Sequence, residues 1–312
     1  MNAIEIRDVD KSYGKVRALS GISLNVEKGE IFGLIGPDGA GKTTLFRILT
    51  TLLLADGGEA SVMGFDVRKD YEAIRKIIGY MPGRFSLYQD LSVAENLEFF
   101  ATVFGTTVKE NYDVIKDIYS QIEPFKDRRA GALSGGMKQK LALSCALVHK
   151  PSVLFLDEPT TGVDAVSRRD FWNMLGRIRA SGVTVFVSTP YMDEAALCDR
   201  VALMMHGKII DSGTPAEIVA KYPYTLLAVK GKPMYRLLKF LRGLDGVLNC
   251  FSFGSVHHVA IDGSGICARD ILTRITEAGF RDCEVREIRP GIEDCFMNLA
   301  GQDANNGNVL RK

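Results

Sequence analysis

The chain has 312 residues, 46% of them hydrophobic, with 39 basic against 38 acidic side chains and a net charge of +1. That length and apolar content predict about two domains with substantial cores. The charge balance excludes a global field that would gather nucleic acid or anionic membrane, so no nucleic-acid partner is expected. No unbroken apolar run of about 18 residues occurs, and residues 1–7 have neither a basic nor an apolar leader region. The chain is therefore expected neither to span a membrane nor to be exported. The six cysteines (Cys145, Cys198, Cys250, Cys267, Cys283, Cys295) lack C-x-x-C spacing and read as free thiols of a reducing compartment.

In chain order, alternating runs around Ile4-Glu5-Ile6 and residues 21–26 flank a turn at Gly14-Lys15 and predict antiparallel strands. The apolar strand Ile31-Phe32-Gly33-Leu34-Ile35 leads into Gly36-Pro37-Asp38-Gly39-Ala40-Gly41-Lys42-Thr43-Thr44, which fits G-x-x-x-x-G-K-[ST]. In such a loop the glycines let backbone N–H groups close around the β- and γ-phosphates. Lys42 adds a cation, and the Thr43 hydroxyl is placed to ligate Mg²⁺. A helix from Lys42 to about Leu52 would turn its positive N-terminus to the phosphates.

Residues 59–63 and 77–81 read as further strands, and a helical block follows from 93 to about 150. Residues 152–156 and 183–187 are nearly continuous apolar runs, as in parallel strands covered on both faces. The fold class is thus an α/β core of the P-loop NTPase kind, with an antiparallel β subdomain and an inserted helical lobe at about 86–149, together spanning 1–222. From Thr225 the pattern is strand, helix, strand, strand, helix, strand, the size of a ferredoxin-like α+β accessory domain at 223–301. The polar segment 302–312 is expected to be a frayed tail.

A second constellation narrows the chemistry. The strand Val153-Leu154-Phe155-Leu156 ends in two carboxylates: Asp157 suits Mg²⁺, and Glu158 suits the orientation and deprotonation of an attacking water. Leu133-Ser134-Gly135-Gly136-Met137-Lys138-Gln139 offers a hydroxyl, backbone N–H groups and a helix dipole, all suited to a γ-phosphate. That helix lies in the inserted lobe, out of reach of its own phosphate loop, so a second chain must supply the nucleotide.

These segments, in this order, resemble the ATP-binding subunit of an ABC transporter, closest to the bacterial drug-exporter type whose ATPase is a separate chain. The resemblance covers residues 1 to about 220. It implies that two ATPase subunits sandwich two ATP molecules and drive integral-membrane permease subunits from the cytoplasmic face of the membrane. Lys42, Thr43, Asp157 and Glu158 would act in cis, while Ser134, Gly136 and Gln139 would act in trans. By the same resemblance Tyr13 stacks on adenine, and Asp164 lies in a loop that crosses the dimer interface.

Two positions depart from the family pattern. Gly83 stands where relatives carry a glutamine that contacts Mg²⁺ and water, and Pro190 stands where they carry a histidine that contacts the γ-phosphate. Neither donates a side-chain hydrogen bond. Gln89, Arg84 and Tyr191 are nearby substitutes. The alternatives are an ATP-binding module with impaired hydrolysis paired with an unlike ATPase chain, and a soluble ABC protein outside transport.

Overall fold

The computed structural model describes residues 1–262 and 265–309. The chain forms two compact units, Met1–Pro215 and Ala216–Lys312. The division falls after Pro215, with 222 the expected boundary, so 216–220 of the helix Pro215–Ala220 lie with the second unit. There Ile218 is buried, and its carbonyl accepts from Cys295 Sγ at 3.7 Å.

The first unit runs β1 (Asn2–Tyr13), β2 (Val16–Glu27), β3 (Ile31–Ile35), α1 (Lys42–Leu49), β4 (Gly57–Val62), β5 (Phe65–Asp66), α2 (Tyr71–Ile77) and β6 (Ile78–Met81). It continues with α3 (Val93–Val103), α4 (Tyr112–Tyr119), α5 (Gly135–Leu147), β7 (Val153–Asp157), α6 (Ala165–Ala180), β8 (Thr184–Thr189), β9 (Arg200–Met205) and β10 (Lys208–Gly213). One antiparallel sheet has the order β2-β1-β4-β5, and a mixed sheet has the order β10-β9-β3-β8-β7-β6. In the mixed sheet only β10 runs antiparallel to its neighbour. Strands β3, β7 and β8 are buried at every position. This is why they read as continuous apolar runs instead of alternating ones.

The register pairs Ile35 with Thr189 and Asp157 with Ser188. The carboxyl ends of three adjacent strands therefore deliver the phosphate loop, Glu158 and Pro190 to one edge of the sheet. Beneath them, Phe46 of α1 packs on Phe155 and Phe186 with ring centroids 5.7 and 4.8 Å apart. Burial of each ring stabilises the fold by about 1.5–3 kcal/mol. Together the three rings fix α1, and hence its N-terminus, against the strands.

Three α-helices stand between β6 and β7. α3 starts at a capping box: Ser92 Oγ accepts from Glu95 N at 3.2 Å, and Glu95 Oε2 accepts from Ser92 N at 2.7 Å. The buried Asn96 amide pins the preceding loop by donating to the carbonyls of Tyr88, Leu91 and Ser92.

The second unit consists of α7 (Pro215–Ala220), β11 (Thr225–Lys232), α8 (Met234–Arg242), β12 (Val247–Phe253), β13 (Val256–Ile261), α9 (Ala268–Glu277), β14 (Arg281–Ile288) and α10 (Ile292–Val309). Its four strands form an antiparallel sheet in the order β12-β13-β11-β14. Leu237 and Leu241 of α8 share one core with Ile271 and Ile275 of α9 and with Leu227, Val229 and Val259 of the sheet. Of the segment expected to be a frayed tail, 302–309 continues the backbone of α10, and 310–312 lie outside the described residues.

Candidate nucleotide-binding site

The phosphate loop passes from β3 to α1 through backbone that only glycine fits. Gly41 precedes α1 at φ 110°, and a Cβ there would meet the Ala18 carbonyl oxygen at 2.5 Å. A Cβ on Gly36 would collide with the Met204 carbonyl oxygen. Among the described residues no side chain caps α1, so its first-turn N–H groups are left for an anion. Asp38 and Gly39 are exposed at the tip, Ala40 is buried, and Thr44 is half-buried.

Lys42 turns back across the loop. Its side chain is 3% exposed, and its Nζ donates to the carbonyls of Gly36 at 2.8 Å and Pro37 at 3.0 Å. The same Nζ lies 3.0 Å from Glu158 Oε1. Thr43 Oγ1 donates to Asp157 Oδ1 at 3.2 Å, which brings together two oxygen donors suited to a hard cation. Among the described residues no group of three or more His, Cys, Asp or Glu side chains could hold a metal ion. A cation here would be shared with phosphate oxygens.

Ser188, to which sequence reasoning gave no role, joins the two carboxylate residues. Its Oγ donates to Asp157 Oδ1 at 2.7 Å and accepts from Glu158 N at 3.1 Å. Glu158 adopts φ 50°, a left-handed conformation uncommon outside glycine and characteristic of functional turns. Nearby, the Tyr80 phenol is pushed up to about 12, first by burial and then by the charge of Asp157.

The remaining predicted residues divide. Tyr13 is 46% exposed at the end of β1, with Lys11 Nζ 5.9 Å from its ring. Ser134 caps α5 by accepting from Met137 N at 3.4 Å, and it is exposed together with Gly135; Gly136 is half-buried. Asp164 is exposed and caps α6, its Oδ1 accepting from Val166 N at 3.1 Å and Ser167 N at 3.0 Å. The bond from Ser167 holds the Asp164 carboxyl below the usual range.

Gln139, expected to act in trans, has a contact within its own chain. It is buried and donates to the Pro159 carbonyl of its own chain, because α5 packs directly beside the loop after β7.

A cleft of about 160 Å³ runs between that loop, α5 and the segment after β6, and its walls include Gly83, Arg84, Lys138 and Glu158. Of the nearby substitutes, Arg84 lines this cleft. Tyr191 instead lies under Arg168 of α6, 4.7 Å from ring centroid to guanidinium. Position 83 is tight, since a Cβ there would lie 3.0 Å from the Asp157 carbonyl oxygen and 3.8 Å from Glu158 Cβ.

Comparison with known proteins agrees with this geometry. The family profile described as ABC transporter matches residues 19–161. Nod factor export ATP-binding protein I of Rhizobium sp. (strain N33) is 33% identical over 308 residues, covering 96% of this chain and 98% of that protein. The chain belongs to the ABC transporter family.

A second relative of the chain is the probable multidrug ABC transporter ATP-binding protein YbhF of Escherichia coli (strain K12). It is 41% identical over 220 residues. That match covers 70% of the chain but only 38% of YbhF, so the chain spans about two fifths of that relative's length. Among solved structures, cbiO1 from Clostridium perfringens, described as part of the ABC transporter complex cbiONQ, aligns with a TM-score of 0.64 at 28% identity. The alignment covers 70% of this chain and 91% of cbiO1. The α/β cassette fold of the first unit is therefore that of the family.

Proposed function

We propose that this chain binds ATP with Mg²⁺, hydrolyses it, and powers a separate integral-membrane permease, in the direction of export, from the cytoplasmic face of the membrane. The observation that carries the reading is the linkage of Lys42, Thr43, Asp157, Glu158 and Ser188 by contacts of 2.7–3.2 Å at one sheet edge. The loop N–H groups and Lys42 would receive the phosphates, and the exposed Tyr13 ring would receive adenine. Thr43 and Asp157 would hold Mg²⁺, which neutralises charge on the phosphate oxygens. Glu158 would accept the proton of the attacking water.

The start of α5, with the exposed Ser134 and the half-buried Gly136, and the exposed Asp164 would face a second ATPase subunit. An apolar groove of about 350 Å³, with Tyr80, Phe100, Val103 and Phe104 among its walls, would seat a cytoplasmic helix of the permease. The permease partner and the direction of transport rest on the printed names of the relatives, one a Nod factor export protein and the other a probable multidrug transporter protein. We read the second unit as a ferredoxin-like accessory domain, on its sheet order and on the single core shared by its two helices.

The test is steady-state Mg²⁺-dependent ATP hydrolysis by the purified chain, beside Glu158→Gln and a Gly83→Gln/Pro190→His double variant. Turnover by the parent that Glu158→Gln abolishes supports a working motor. The tight position 83 and the donor-free Pro190 favour a second reading, an ATP-binding module of impaired turnover paired with an unlike ATPase chain. An inert parent alongside a hydrolysing double variant would select that reading.

A further inference from the structure

The turn after β8 carries a buried carboxylate that the proposed chemistry does not use. Glu194 is 1% exposed. Its Oε2 accepts from Thr189 Oγ1 at 2.6 Å, and its Oε1 has no hydrogen bond among the described residues. The group facing Oε1 is the guanidinium of Arg168, with Nη1 at 3.9 Å. That nitrogen also lies 3.6 Å from Asp193 Oδ2, and the guanidinium stacks over the Tyr191 ring.

The network reaches two functional places. At one end Thr189 O accepts from Gly36 N at 3.2 Å, the first residue of the phosphate loop. At the other, Arg168 N donates to the Asp164 carbonyl at 2.9 Å, one turn into the helix that Asp164 caps. Pro190 has no N–H, so the path runs around it: Tyr191 N donates to Thr189 Oγ1 at 3.0 Å.

We infer that Arg168 is a positioning residue that couples the phosphate loop to the first turn of α6 through Thr189, Glu194 and Tyr191. The inference rests on the proposed ATP site. A phosphate that orders the loop acts on the Gly36–Thr189 bond. Glu194 is out of water and cannot relax toward solvent, so a shift there is passed to the cation against it. The planar guanidinium meets carboxylates and ring at once, which a lysine could not reproduce.

Amide hydrogen exchange of the full chain, with and without Mg²⁺-ATP, tests this directly, alongside equilibrium ATP binding. In the parent, ATP is expected to slow exchange at both 39–44 and 165–168. Arg168→Ala is expected to keep the first effect, lose the second, and weaken ATP binding by about fivefold or more. Tyr191→Ala should follow Arg168→Ala, Tyr191→Phe should match the parent, and Arg168→Lys should recover only part. Protection confined to 39–44 in the parent, or unchanged protection at 165–168 in Arg168→Ala and Tyr191→Ala, overturns the coupling while leaving the ATP site standing. A parent that binds no ATP overturns both, and the binding curve alone separates that case.

Discussion

Lys42 Nζ and Glu158 Oε1 lie 3.0 Å apart, which joins the loop cation to the carboxylate at the end of β7. The lysine is also held by two loop carbonyls, so it is fully satisfied without leaving the fold. On the proposed reading an arriving phosphate would compete with Glu158 for the same ammonium. Each step of binding then changes how free the carboxylate is to meet water.

Glu158→Gln keeps an oxygen for Lys42 but removes the base. Hydrolysis is expected to fall by about 10²- to 10⁴-fold, with ATP binding retained. Phosphate release and equilibrium ATP binding measured on the same preparation check both halves. Loss of binding in step with activity would show that the carboxylate matters for the loop and not for the water.

Ser188→Ala removes a hydroxyl that serves Asp157 and Glu158 together. Glu158 N keeps its bond to the Ser188 carbonyl and Asp157 Oδ1 its bond from Thr43, so stability should fall by about 0.5–1.5 kcal/mol, the net worth of the lost hydroxyl bonds. The Mg²⁺ concentration needed for half-maximal hydrolysis should rise as Asp157 loses a fixed orientation. Urea unfolding and a Mg²⁺ titration read the two effects separately.

Gln139→Ala distinguishes the two placements of this side chain. Tied to Pro159 of its own chain, it should lower stability by about 1–3 kcal/mol. Were it to contact a partner's nucleotide, hydrolysis would drop while the unfolding midpoint stayed fixed.

Burial lowers the pKa of both His149 and His257 below the ordinary histidine value. Each is held neutral in the fold, so below about pH 6.5 the unfolded chain takes up the proton first. The stability present above that pH is lost as pH falls toward the folded-state values. His149 donates from Nε2 to Ile78 O at 2.9 Å, a bond that His149→Gln can keep. Melting temperatures from pH 7.5 to 5 should fall less steeply in His149→Gln than in the parent. Parallel slopes would assign the acid sensitivity elsewhere, with His257→Gln the next variant to compare.

What could be read from sequence follows from how local each feature is. The phosphate loop is contiguous and dictated by backbone geometry at Gly36 and Gly41, so nine residues carry it. Strands β3, β7 and β8 announce themselves because burial on both faces leaves no polar position. Ser188 gave no signal, since its role arises only when the register of β7 and β8 sets it beside Asp157. The burial of Gln139 gave no signal for the related reason that spacing along α5 does not reveal which face meets Pro159. Helix α2 escaped notice because Ile74 is its only buried residue. His257 is 1% exposed. It alternates with His258 along β13, and one of two neighbours on a strand must face the core.

The left-handed backbone at Glu158 sets a limit on improving this protein. A glycine there would relieve about 1–3 kcal/mol of conformational strain and remove the carboxylate in the same stroke. Screens that reward heat resistance alone should therefore recover this position early, and every such survivor would be a sturdier chain with a silent site.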